Sequence, residues 1–205
     1  MTDTIEFTLK QGHDYMSPRR RALYCQFQTG EILEALAQDL LSGTPPGPDR
    51  SRHAAILAKY VKDEIDYANS GLFPQGTDYM LEDARQGDCV DQSVLLMSLF
   101  EAANLPARYC CYKRSGDEYG HCVVELRVTD TEVTVSAVED ALREPFDLDR
   151  SEPMAWDVDE TGRWILIDPT TPLPPGFDRG SNYEVTTEGI DWNDRTSVVC
   201  FRPIR

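Results

Sequence analysis

Three residues in this chain are of types that together perform acyl chemistry. Cys89 lies in Gly87-Asp88-Cys89-Val90-Asp91, just ahead of the apolar run from Val94 to Phe100. His121 opens the stretch His121-Cys122-Val123-Val124-Glu125-Leu126, directly after a glycine-containing turn. Asp168 closes Arg163-Trp164-Ile165-Leu166-Ile167 and leads into Pro169-Thr170. A thiol enzyme needs a thiolate to attack a carbonyl and an imidazole to keep the thiol ionised and later protonate the leaving group. It also needs a third polar group to orient that imidazole. Cys89, His121 and Asp168 match these roles by type. They are far apart in the chain, so only the fold can unite them.

The surroundings of Cys89 raise an objection. Two carboxylates flank the thiol, and like charge nearby opposes ionisation. Cys89 is therefore either a small buried hydrophobe or a nucleophile activated by something other than its sequence neighbours. A helix beginning at this point resolves the conflict. Its N-terminus carries partial positive charge and unpaired N–H groups, and a thiolate there is stabilised. The same N–H groups suit the oxyanion of a tetrahedral intermediate. Asp88 is the expected N-cap, and Asp91, one turn in, is expected to stay in water or to bond nearby backbone. Gln86 and Tyr79, both upstream of Cys89, are candidates for a second oxyanion donor.

The elements that must position these groups are legible from patterning. Residues 4–10 alternate as a strand. Residues 21–41 have helical character, with Ile32, Leu33, Leu36, Leu40 and Leu41 at helical spacing and Gly30 as a break. Residues 42–49 form a turn-rich loop. Ser51 is the expected cap of a helix over about 52–68, and a short helix is predicted near 77–85. The helix after Asp88 ends near Ala103, closed by Asn104-Leu105-Pro106. Strands are predicted over 107–114, 121–128, 132–138 and 163–168, with a surface loop over about 139–160. Residues 197–203 are expected as an edge strand ended by Pro203. Helices first and strands afterwards predict an α+β fold, a helical layer on a mostly antiparallel sheet. The expected organisation is a single domain over residues 1–205, its core spanning about 53–170, with N-terminal helices (19–42) and the C-terminal strand packed on it.

Composition narrows the partners. Asp and Glu number 36 against 20 Lys and Arg, a net charge of −16. Such a chain lacks the cations that neutralise phosphates, which argues against nucleic acid and against an anionic membrane surface. Only four of the basic residues are lysine (Lys10, Lys59, Lys62 and Lys113). Lysine depletion with dispersed aspartates is the pattern of a halophilic surface. No run approaches the ~20 apolar residues of a membrane span, and Met1–Gln11 has no signal-like pattern. A cytoplasmic location follows as the expectation. The six cysteines (Cys25, Cys89, Cys110, Cys111, Cys122 and Cys200) are then expected as reduced thiols. No Cys-x-x-Cys spacing supports zinc, so no metal site is expected.

Taken in order, Gly87-Asp88-Cys89-Val90-Asp91, the Ala103-to-Arg108 turn, Gly120-His121 with Glu125, and Trp164 through Asp168-Pro169-Thr170 resemble the transglutaminase-like superfamily of thiol enzymes. The resemblance covers about residues 53–170. It implies a papain-like core with Cys89 as nucleophile, His121 as base and Asp168 as orienting acid. It also implies no cofactor and a protein or peptide amide as substrate, with hydrolysis favoured over cross-linking. Many members have an aromatic residue two positions after the histidine, where this chain has Val123. A catalytically inactive papain-like binding or structural protein, as part of a larger particle, is the competing expectation.

Overall fold

The computed structural model describes residues 5–10, 30–44, 50–69, 75–114, 121–128, 140, 141, 143, 156–159, 162–170, 184–186, 189–191 and 195–203. The expected helical stretch at 21–29 and the strand at 132–138 lie outside them. The fold is α+β. The helices are α1 (Glu31–Leu41), α2 (Ser51–Glu64), the short α3 (Thr77–Tyr79), extended by a wide turn over Met80–Ala84, and α4 (Cys89–Ala102). The principal strands are β1 (Ile5–Lys10), β4 (Ala107–Arg114), β5 (His121–Val128), β6 (Trp156–Asp159), β7 (Gly162–Ile167) and β10 (Arg195–Pro203). They form one sheet in the order β1-β10-β4-β5-β7-β6, antiparallel throughout. Two short pairs stand apart: β2 (Asp66–Tyr67) runs parallel to β3 (Gln86–Gly87), and β8 (Glu184–Thr186) pairs with β9 (Gly189–Asp191).

The centre is α4. Every residue from Val90 to Phe100 is buried, as a helix apolar on nearly all sides requires. It packs against α1 and α2 and against β4 and β5. Its end is specified locally. Asn104 adopts a left-handed φ of 59°, and the N–H groups of Asn104 and Leu105 return to the carbonyls of Glu101 and Phe100. This Schellman closure, followed by Pro106, turns the chain into β4.

Strand alternation sorts β5 into two faces. Cys122, Val124, Leu126 and Val128 join the core that contains α4. Val123 and Glu125 take the opposite face and are also buried. There Arg108, opposite Glu125 in the register, forms an ion pair with it and stacks 4.0 Å from the Trp164 ring centroid.

Several boundaries differ from the sequence expectation. Ser51 is the first residue of α2, wholly buried; Arg50 takes the cap position, its side chain not capping the helix but donating to the Ala103 carbonyl. That helix stops at Glu64, where Ile65 turns extended and β2 begins. Ile32 shares the helical spacing of α1 but is 48% exposed, while Leu33 and Ala37 are buried. The stretch expected as loop over 139–160 contains β6, an edge strand too short and too acidic to stand out. It turns back into β7 at Gly162, whose φ of 137° favours glycine. Strand β10 is interior, between β1 and β4. Pro203 is tolerated because it ends the strand, opposite Ile5.

The cysteines give the largest correction. Cys110 and Cys122 are both disulfide-bonded, not reduced. Spacing along the chain hides this, because the pairing depends on strand register. Cys110 stands opposite Val123 and Cys111 opposite Cys122, so Cys110 and Cys122 occupy different faces of the sheet. The cysteine opposite Cys110 is Cys200. Directly opposed residues of antiparallel strands are close enough to bridge. Peptide mapping without reduction is expected to recover Cys110 and Cys122 in disulfide linkage, but not joined to each other. A Cys110–Cys122 linkage would contradict the register.

Candidate active site

The site gathers where α4 begins. Asp88 has extended backbone (φ −84°, ψ −174°) and caps the helix, its Oδ1 accepting from the N–H groups of Val90 (2.8 Å) and Asp91 (3.3 Å). Asp91 reciprocates, its Oδ2 accepting from the Asp88 N–H at 3.1 Å, which completes a capping box. Asp91 is wholly buried, so of its two expected settings the bond to nearby backbone holds and exposure to water does not. The reason is its second oxygen, Oδ1, which accepts from the N–H of Gln75 at 2.7 Å. Hydrogen bonds of this kind make a buried carboxylate tolerable. Gly87 permits the arrangement: a Cβ there would meet Asp91 Cβ at 2.6 Å.

Cys89 is therefore the first residue of α4, partly buried, and it is a free thiol. The Gln92 N–H completes the first turn by donating to the Asp88 carbonyl. The bonds to Asp88, Val90, Asp91 and Gln92 leave the Cys89 N–H as the one first-turn donor without an acceptor among the described residues. Two buried side chains hold this end of the helix. Gln92 Nε2 donates to the carbonyls of Ile65 and Gly87, each at 3.2 Å, and Ser93 Oγ donates to the Cys122 carbonyl at 3.0 Å. The second bond ties the thiol helix to β5 one residue from His121.

His121, the first residue of β5, places Nε2 2.5 Å from Asp168 Oδ2. Its side chain also hydrogen-bonds that of Cys89. Asp168 follows β7 in an Asp-Pro-Thr turn, where its Oδ1 accepts from the Thr170 N–H (2.9 Å) and Thr170 Oγ1 (2.7 Å). One carboxylate oxygen is thus held by the turn while the other faces the imidazole. Burial disfavours the charged imidazole, but the charge and hydrogen bond of Asp168, with a smaller contribution from Cys89, outweigh it. The His121 pKa is raised to about 10. Burial likewise disfavours the Asp168 carboxylate, and His121 and Thr170 together overcome that cost, holding its pKa below the ordinary value. The pair is an imidazolium–carboxylate at neutral pH.

The structure thus brings Cys89, His121 and Asp168 together, with Asp88 at the helix cap. Gln86 and Tyr79 are not joined to them by any hydrogen bond. Gln86 is exposed and pairs through its backbone with Asp66, and Tyr79 is 54% exposed. Among the described residues no three His, Cys, Asp or Glu side chains gather as metal ligands. Sequence reasoning missed Thr170, Gln92, Ser93 and the buried role of Asp91. Only Thr170 carried a local signal, since an aspartate at the head of a turn bonds to backbone two residues on.

The family model of the transglutaminase-like superfamily matches residues 34–169, well over half of the chain. A search of curated proteins returns no match. A solved structure described as a candidate protease of Parabacteroides distasonis is similar at 14% identity and a TM-score of 0.43, over 56% of this chain and 25% of its own. A candidate cysteine protease of Cytophaga hutchinsonii shares 19% identity with a TM-score of 0.40, over 56% of this chain and 39% of its own. Calcium-bound LapG of Legionella pneumophila shares 15% identity with a TM-score of 0.30, over 66% of this chain and 86% of its own. The chain therefore covers well under half the length of the first two. The matched region runs across the thiol helix, the histidine strand and the aspartate turn, and on that match the chain belongs to the transglutaminase-like superfamily.

Proposed function

We propose that the chain is a cysteine enzyme that cleaves a peptide or side-chain amide through a thioester acyl-enzyme, with water as the acceptor. One observation carries this reading: the His121 side chain bonds to both Asp168 and the Cys89 side chain, at the start of a capped helix.

In the proposed reaction the Cys89 sulfur attacks the carbonyl carbon and a C–S bond forms. The oxygen takes the displaced electron pair, facing the unused Cys89 N–H. The imidazolium of His121 gives its proton to the leaving nitrogen as the C–N bond breaks. Water, deprotonated by the now neutral imidazole, then attacks the thioester and releases the acid and the thiol. Asp168, fixed by Thr170, keeps the ring in place and stabilises its cationic form. The exposed Tyr67, paired in register with Gly87, lies beside the thiol segment and is available to a peptide chain.

Alkylation tests the reading. Iodoacetamide at pH 6 is expected to label Cys89 at least about tenfold faster than free cysteine, because the thiol sits at a helix N-terminus beside the His121 ring, the setting of a reactive nucleophile. Incubation of the labelled and unlabelled protein with denatured protein substrates, followed by mass spectrometry, separates hydrolysed amides from amine-exchanged ones. Labelling no faster than free cysteine would leave only a binding scaffold.

A further inference from the structure

The puzzle at the thiol is its second carboxylate. Asp88 alone suffices to cap α4, and a further anion near Cys89 opposes the thiolate. Yet Asp91 is buried completely, and glycine at position 87 makes room for it. Activating the thiol does not explain such an arrangement. What Asp91 does is geometric. Its two oxygens take N–H groups from two separate segments, Gln75 and Asp88. Asp91 thereby holds the peptide between Gly87 and Asp88, and the next peptide, which carries the Cys89 N–H, is held through its carbonyl by the Gln92 N–H. With the Asp88, Val90 and Asp91 N–H groups all occupied by the two carboxylates, the Cys89 N–H is the first-turn donor left without an acceptor among the described residues. The Gln75 bond also anchors the chain where it leads, through Gly76, into α3 and Tyr79.

We propose that Asp91 is a positioning residue for the oxyanion site: it aims the Cys89 N–H and fixes the Gln75 segment against the start of α4, without touching the substrate. The proposal rests on the thiol-enzyme reading above. An oxyanion donor matters when a tetrahedral adduct forms, and it has no part in alkylation of the sulfur by iodoacetamide. Two probes of the same thiol therefore separate positioning from a general loss of structure.

In the test, a peptide aldehyde, which forms a tetrahedral adduct with the thiol, and iodoacetamide are each applied to the wild-type chain, Asp91→Ala and Asp91→Asn. Asp91→Ala is expected to weaken aldehyde binding and to lower kcat by about 10- to 100-fold. KM and the iodoacetamide rate should stay within about threefold. Asp91→Asn, which keeps one acceptor oxygen, should recover part of the loss. Gly87→Ala serves if Asp91→Ala fails to fold. It keeps the carboxylate but drives a methyl group against Asp91 Cβ and Met80 Sδ, and the same split is expected. Parallel losses in aldehyde binding and alkylation would reduce Asp91 to a structural acid. Unchanged aldehyde binding in a folded Asp91→Ala protein would also overturn the proposal. A wild-type chain that binds no aldehyde would instead overturn the thiol-enzyme reading itself.

Discussion

Replacing His121 with alanine is expected to lower kcat/KM on an amide substrate by about 10⁴-fold or more, with the protein still folded. The expectation follows from where the ring sits. Among the described residues it is the one group bonded to both the Cys89 side chain and Asp168, so its loss removes thiol activation and leaving-group protonation together. Removing either the nucleophile or the base of such a unit costs nearly as much as removing the whole. Ordinary folding probes should change little, because His121 lies at the end of β5 and is partly exposed. A loss of less than about tenfold would mean that another group serves as the base.

Asp168→Asn acts on the same unit through pH. The His121 pKa of about 10 depends on the Asp168 carboxylate, which overcomes the opposing effect of burial. The imidazolium should then persist in the wild-type enzyme until the pH rises towards 10, and activity should fall only beyond that. In Asp168→Asn the raising influence is gone and burial remains, so the alkaline limb is expected to move down by several pH units, towards the ordinary value of 6.5. The sign carries over to stability. The charged His121 contributes fully below pH 6.5 and loses its contribution as pH climbs to about 10. Asp168 contributes above its ordinary value of 3.8 and loses its contribution as pH falls through its lowered one. The wild-type pH–rate profile and its displacement in the variant are the measurements. An alkaline limb that does not move would show that Asp168 does not set the charge of the ring.

How much of this was legible in the sequence depends on whether the cause is local. The strands at 107–114 and 121–128 coincide with the observed ones because alternation, an upstream Pro and a downstream polar turn all act within a few residues. The Asp88 cap was visible for the same reason. The bond of Asp91 to nearby backbone is legible, but its burial is not, because its second partner, the Gln75 N–H, is sixteen residues away in another segment. The disulfides at Cys110 and Cys122 are not legible in the sequence, because bonding depends on register between strands. Strand β10 reads as an edge in sequence because nothing near Pro203 announces β1 on its outer side. The meeting of Cys89, His121 and Asp168 was suggested only by resemblance and by the chain context of each residue. Their contact is a property of α4, β5 and β7 packed together.

The largest expected effect on stability lies on the other face of the sheet. Glu125→Leu is expected to cost about 3–5 kcal/mol, because it strips the counter-charge from a guanidinium that is almost completely buried. Both Nε and Nη2 of Arg108 reach the same oxygen, Glu125 Oε2, and the guanidinium lies over Trp164. For a chain of this length such a loss corresponds to a fall in Tm of about 6–20 °C. Charge burial and charge pairing nearly cancel in such sites, so the double replacement Arg108→Met with Glu125→Leu should recover most of the lost stability. Arg108→Lys should not, since an ammonium lacks both the planar fork and the stacking over the indole. Glu125 shares β5 with His121 but takes no part in the proposed chemistry, so kcat of the folded fraction should be unchanged. Denaturant unfolding of the two single variants and the double variant completes the cycle. A Glu125→Leu cost below about 1 kcal/mol would mean that Arg108 keeps enough of its other contacts to stay buried without the carboxylate.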